Sequence, residues 1–174
     1  TDPALGLAIL NVIIENEWYD EEFLRDKTCA PLLVRADNGH FLRSTDFGEA
    51  GPLELPEYPF SGMLLLQSSK ANKIPTDEQT AIYVVWDADA NASGGLNDVA
   101  NPALEGTYDV NGVAVTTAWT LLKEHVAQYT PEWAEKMTEV PADTIVELAR
   151  MYALDTPSTI YAGYHLYDNC EVMG

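Results

Sequence analysis

Oxygen-bearing side chains recur at alternate positions in the run Asp87-Ala88-Asp89-Ala90-Asn91-Ala92-Ser93-Gly94-Gly95, the spacing with which a loop wraps a calcium ion. The run departs from a calcium loop where the geometry is most demanding. Ala92 stands where the sharp turn needs glycine, Asp98 replaces the bidentate glutamate that closes the loop, and a strand-like segment leads in where a helix should. A plain turn is the favoured reading, with an acidic calcium-binding or protein-interaction module as the alternative. The histidines, His40, His125 and His165, share no ligand spacing. His125 falls in a helical pattern, as a surface or core-edge residue. His165 follows Gly163 by two positions in a polar loop, a place where a cofactor could lie, although an ordinary loop histidine is favoured from the residues alone. Cys29 and Cys170 are far apart with no C-x-x-C spacing, so they define neither a metal site nor a redox compartment. No Gly-x-Ser-x-Gly, P-loop or Gly-x-Gly-x-x-Gly is present, which leaves nucleophile, phosphate and nicotinamide readings without an anchor.

Gly163 draws attention because of the elements that lead to it. Thr130 can cap a helix that starts at Pro131, where the missing proline donor costs nothing. Pro141 opens another, along which Ile145, Leu148, Ala149 and Tyr152 recur at i, i+3, i+4 and i+7, so that one apolar face must be covered. Pro157 ends the helical pattern, and Thr159-Ile160-Tyr161-Ala162 reads as a short strand that stops at Gly163. Ligands of open α/β sheets sit beyond the carboxyl ends of strands, where a glycine lets the backbone approach them.

Upstream, Thr1-Asp2-Pro3 forms a compact helix start, with Asp2 as the cap, Pro3 at the first helical position and a negative charge where the helix dipole favours it; from the residues alone, a cap and nothing more is the favoured reading of Thr1-Asp2. Leu5, Ala8, Ile9, Val12 and Ile13 follow at helical spacing, and Leu7, Leu10 and Ile14 make this helix apolar on nearly every side, which predicts burial between a sheet and other helices. Asp20-Glu21-Glu22 opens a shorter helix. From Pro31 to Thr116 the period changes. Segments 32–36 and 40–43 flank Asp37-Asn38-Gly39, and segments 107–110 and 113–115 flank Asn111-Gly112, which predicts two hairpins. Ile82 to Trp86 reads as a further strand, and the glycine and prolines from Gly48 to Pro59 mark a surface loop. Thr116 or Thr117 caps a helix carrying Trp119, Leu122, Val126 and Tyr129 on one stripe.

A chain of 174 residues with 47% hydrophobic content has enough material for an ordinary core. Its net charge of −19 argues against nucleic acid, which needs clustered Lys and Arg. No apolar run is long enough to cross a membrane and no targeting segment is evident. The chain starts without methionine and stops soon after the expected strand, so it is expected to be a piece of a larger protein.

Three sets of residues carry a resemblance. Tyr129-Thr130-Pro131-Glu132, Val140-Pro141-Ala142 and Tyr161-Ala162-Gly163-Tyr164 form one; Asp37 to Arg43, Val84 to Asp87 and Pro102 to Gly106 form another; Thr1, Asp2, Ile13, Ile14, Glu15, Tyr19 and Asp20 form the third. Together they resemble the middle of the catalytic subunit of molybdopterin oxidoreductases of the dimethyl sulfoxide reductase family. The resemblance implies that Thr1 and Asp2 contribute to holding the guanine end of a molybdopterin guanine dinucleotide, whose parallel donors a carboxylate can accept with both oxygens. It implies that the loop at Gly163 and His165 runs against the pterin and the substrate funnel. It further implies a bacterial parent with a molybdenum or tungsten centre held by two pterin dinucleotides. A 4Fe-4S cluster and the metal-ligating side chain would lie outside this chain, and the partners would be the remainder of the subunit and an iron-sulfur electron-transfer subunit. No catalytic or metal-ligating residue falls in this chain, which by itself is expected to be inactive and free of cofactor. Export of the parent to the cell envelope or periplasm is compatible with the resemblance.

The expected fold is α/β, with helices packed on a mostly parallel sheet and a small antiparallel hairpin insertion. The expected organisation is a single segment spanning residues 1–174, helical over 1–30, hairpin and loop over 31–115, and helices with a strand over 116–174.

Overall fold

The computed structural model describes residues 2–47, 82–155 and 157–159. Thr1, the loop expected from Gly48 to Pro59, residues 160–162 of the expected last strand, Gly163, His165 and Cys170 lie outside them. The chain divides into two compact units, Thr1–Glu22 with Leu121–Gly174, and Phe23–Thr120.

In the first unit, α1 spans Asp2–Glu15, α4 spans Pro131–Thr138 and α5 spans Ala142–Leu154. Asp2 is the first helical residue of α1 and so stands one position inside the helix that it was expected to cap, with Pro3 second and buried. The apolar repeat of α1 places Ala8, Ile9 and Val12 in a core completed by Ala134 of α4 and by Ile145 and Ala149 of α5. Helix α4 begins as the sequence predicts: Thr130 is extended and its side chain accepts a hydrogen bond from the Trp133 amide at 3.3 Å. It ends on Glu139 in the left-handed region, at φ 63°, a conformation that usually selects glycine. Pro141 occupies the cap position of α5 and so stands one residue before the helix that it was expected to open from within. Asn11 is 1% exposed in the otherwise apolar α1, and its amide donates to the carbonyl of Val126 at 3.3 Å. That carbonyl belongs to the last residue of α3, Ala118–Val126, and also accepts from the Tyr129 amide at 2.9 Å.

In the second unit, strands β1 (Leu33–Arg35), β5 (Val113–Thr117) and β4 (Thr107–Val110) form one sheet in the order β1-β5-β4, and β2 (Val84–Asp87) pairs with β3 (Ala92–Gly95) in another. The Asn111-Gly112 hairpin is present, with φ of 54° and 84° at the two turn residues, the pair of positive values that a tight primed turn requires. The Asp37-Asn38-Gly39 turn is present as well: Val34 bridges Phe41, and the Leu42 amide donates to the Leu33 carbonyl at 2.7 Å. Leu33, Leu42, Val84, Val110 and Val115 form the core of this unit. Helix α2, Glu21–Lys27, buries none of its residues.

Two expectations are corrected. Every strand pair among the described residues is antiparallel, so the mostly parallel sheet is not what these residues form. β2–β3 and β4–β5 are joined by tight turns, too short for the crossover that parallel pairing needs. The mixed helix-and-sheet composition and the small antiparallel hairpins stand. On α5, Ile145 and Ala149 are fully buried, whereas Leu148 and Tyr152 remain 41% and 37% exposed; the expected single stripe is covered on one side only.

Candidate functional site

Asp2 is the sequence-predicted site residue that falls among the described residues. Its side chain is exposed at the start of α1, while the helix behind it is anchored through Ala8, Ile9 and Val12. A carboxylate held on a rigid element can accept two parallel N–H donors, and a helix start supplies further backbone donors nearby. Thr1, Gly163 and His165 lie outside the described residues, so the structure neither joins them to Asp2 nor separates them from it. Of the other residues in the same pattern, Ile14 is buried, Ile13 packs against the α1 core, and Glu15 accepts from Asn11 at 3.4 Å.

The remaining chemistry-bearing residues serve local structure. His125 is exposed, with its ring 5.4 Å from that of Tyr129, which in turn lies 4.9 Å from Trp133. His40 donates its backbone N–H to Asn38 Oδ1 within the turn. Cys29 is an exposed free thiol. Glu132, at the start of α4, is held below the ordinary carboxylate range by a hydrogen bond from its own backbone amide and another from the Thr130 side chain. The Thr-Pro-Glu run thus starts a helix.

The Asp87–Gly95 run forms the β2–β3 hairpin. Asp87 Oδ1 accepts from the amides of Asp89 and Ala90 at 2.8 and 3.0 Å, and Asp89 accepts from the Asn101 side chain at 3.0 Å. The Asp87 bonds close the turn on its own backbone, and the Asp89 bond ties it to Asn101. Among the described residues no group of three or more His, Cys, Asp or Glu side chains is placed to hold a metal ion.

Sequence reasoning missed a junction in the second unit. Trp86 stacks on Tyr108 with ring centroids 4.2 Å apart and planes within 9° of parallel, and the Tyr108 hydroxyl donates to the Glu105 carbonyl at 2.7 Å. Gly106 lies beneath this ring at φ 139°. Its amide donates to Thr120 Oγ1 and its carbonyl accepts from the Thr117 amide, both at 3.0 Å. The Val84–Asp87 and Pro102–Gly106 motifs meet here as scaffold, since Asp87 bridges Pro102 and the Ala103 amide donates to the Trp86 carbonyl at 2.7 Å. The sequence also gave no sign of a cavity of about 310 Å³ in this unit, lined by Ser44, Phe47, Ile82, Ser93, Asp98 and Asn111 among others.

No family model matches the chain. Known proteins are nevertheless similar over nearly all of it. Dimethylsulfide dehydrogenase subunit alpha of Rhodovulum sulfidophilum is 29% identical over 95% of the chain. Chlorate reductase subunit alpha of Ideonella dechloratans is 30% identical over 95%, and perchlorate reductase subunit alpha of Dechloromonas aromatica 32% identical over 94%. The chain belongs to the dimethyl sulfoxide reductase family of molybdopterin oxidoreductases. It spans only 16–19% of the length of these three relatives, and so corresponds to a segment of such a catalytic subunit. Among the described residues no helix is long and apolar enough to cross a membrane.

Proposed function

We propose that this segment helps a molybdenum- or tungsten-dependent catalytic subunit to bind its molybdopterin guanine dinucleotide, with Asp2 accepting hydrogen bonds from the guanine. Thr1 is assigned to the same end of the nucleotide. Gly163 and His165 are assigned to the loop that borders the pterin and the substrate channel. The observation that supports this reading is an exposed carboxylate on the first residue of a core-anchored helix, in a chain that aligns with catalytic subunits over nearly its whole length. When bound, the cofactor supplies two-electron redox or oxygen-atom transfer at its metal. The residues of this chain hold and orient one end of it and exclude water there. A 4Fe-4S cluster and an iron-sulfur partner subunit belong to the parent beyond this chain, whose location in the cell envelope or periplasm is part of the same proposal. The isolated chain has no redox activity.

Asp2→Asn in the full catalytic subunit tests this. The amide keeps the shape but turns one oxygen into a donor that faces the donors of guanine. Molybdenum and guanine nucleotide content should fall about tenfold or more, as a buried charge-assisted pair contributes about 1.5–3 kcal/mol. Unchanged content in a folded variant removes Asp2 from the site.

A further inference from the structure

We propose that Asn111 is a site of spontaneous deamidation, promoted by the Asp109 carboxylate acting on the Gly112 amide, and that Asn38, in the same Asn-Gly dipeptide, is held against this reaction. An asparagine is lost in this way when the next backbone nitrogen attacks its carboxamide carbon, and a following glycine brings that nitrogen up with no side chain in the way. Asn38-Gly39 and Asn111-Gly112 both sit in exposed turns of the second unit. Both glycines have positive φ, 72° and 84°, and a Cβ on either would meet nothing within 4 Å. Steric approach therefore does not separate the two sites. Hydrogen bonding does.

In the Asn38 turn the carboxamide oxygen accepts from the His40 amide at 2.9 Å, which restrains the carbon to be attacked, and the Gly39 amide donates to the neutral Arg35 carbonyl at 2.9 Å. In the Asn111 turn the Gly112 amide donates to Asp109 Oδ1 at 2.9 Å, and no hydrogen bond among the described residues restrains the Asn111 carboxamide. A carboxylate aligned on the N–H of a nucleophile is a base already in position. The proton passes from the Gly112 nitrogen to Asp109 Oδ1 as that nitrogen bonds to Asn111 Cγ. The bond from Cγ to the side-chain nitrogen then breaks, and ammonia leaves with the proton, which regenerates the carboxylate. Water opens the resulting succinimide at either carbonyl to give aspartate or isoaspartate, with no oxidant or reductant. Isoaspartate carries the main chain through one further methylene, which the two-residue turn pairing Val110 with Val113 does not accommodate.

Incubation of the full-length catalytic subunit at neutral pH, followed by peptide mass spectrometry and enzymatic detection of isoaspartate, reads both sites in one sample. In the native subunit Asn111 should deamidate at least about tenfold faster than Asn38, which a positioned base is able to supply. In urea the two rates should converge, since only the local sequence then acts. Asp109→Asn, at an exposed position, keeps a side-chain oxygen for the Gly112 amide and removes the base; it should slow Asn111 by at least about tenfold and leave Asn38 unchanged. Native rates that are equal, or faster at Asn38, overturn the proposal. So does a difference that persists in urea, which would belong to the flanking residues. An unchanged or raised Asn111 rate in Asp109→Asn overturns it too, because the carboxylate would then be idle or a restraint on the nitrogen. None of these outcomes depends on the role given to Asp2.

Discussion

Replacing Gly106 with alanine puts the junction of Trp86, Tyr108 and the start of α3 under a defined load. At φ 139° the backbone occupies a region that L side chains rarely adopt, and a Cβ there would collide with the Tyr108 ring, whose Cε2 lies 2.9 Å away. The ring can yield only by leaving its 4.2 Å stack on Trp86 and its hydrogen bond to the Glu105 carbonyl. Backbone strain of about 1–3 kcal/mol, a lost stack of about 0.5–1.5 and a lost hydrogen bond of about 0.5–1.5 put the cost near 2–6 kcal/mol together. Urea unfolding followed by circular dichroism reads it as a lower midpoint at constant slope. With Tyr108 already replaced by alanine, Gly106→Ala should cost only the strain, about 1–3 kcal/mol. Equal costs in the two backgrounds would refute the collision, and no cost in either would refute the strain as well.

The two faces of α5 should respond differently to truncation. Ile145→Ala, at a fully buried position, should lose about 2–5 kcal/mol in urea unfolding of the 174-residue chain. Leu148→Ala, 41% exposed, should lose under about 1 kcal/mol. A reversed order would contradict the packing. The Arg35 guanidinium donates to Asp37 at 2.7 Å, and this hydrogen bond, reinforced by the ion pair, holds the Asp37 carboxyl below its ordinary range. Because the folded value is the lower one, its stabilisation is complete above the unfolded aspartate value of about 4 and is lost as pH falls through the folded value. Asp37→Asn should remove that part of the acid dependence. An Asp37 carboxyl that titrates by NMR at or above the unperturbed value would contradict it.

Local signals were legible where one turn or cap decides the structure. Asn111-Gly112 set a hairpin because two positive φ values are needed at adjacent residues, and Thr130-Pro131 set a helix start because both side chains suit it. The pairing direction of strands was not legible in the same way. The helix-strand-glycine order at the chain's end suggested a parallel sheet, but direction depends on non-local partners and short connections. The Trp86–Tyr108 stack that fixes Gly106 joins residues distant in sequence, and no periodicity announces it. The bond of the buried Asn11 to the Val126 carbonyl is visible only once α1 and α3 are placed. Of the candidate site, the helix start at Asp2 could be read from its residues, whereas the guanine assignment came from resemblance.

The structure of the cofactor-loaded catalytic subunit tests the central claim most directly. The guanine N1 and N2 should lie about 2.7–3.2 Å from the Asp2 carboxylate oxygens. A fully loaded subunit whose guanine is held by other residues, with Asp2 facing solvent or protein, would contradict the assignment of this segment to the nucleotide.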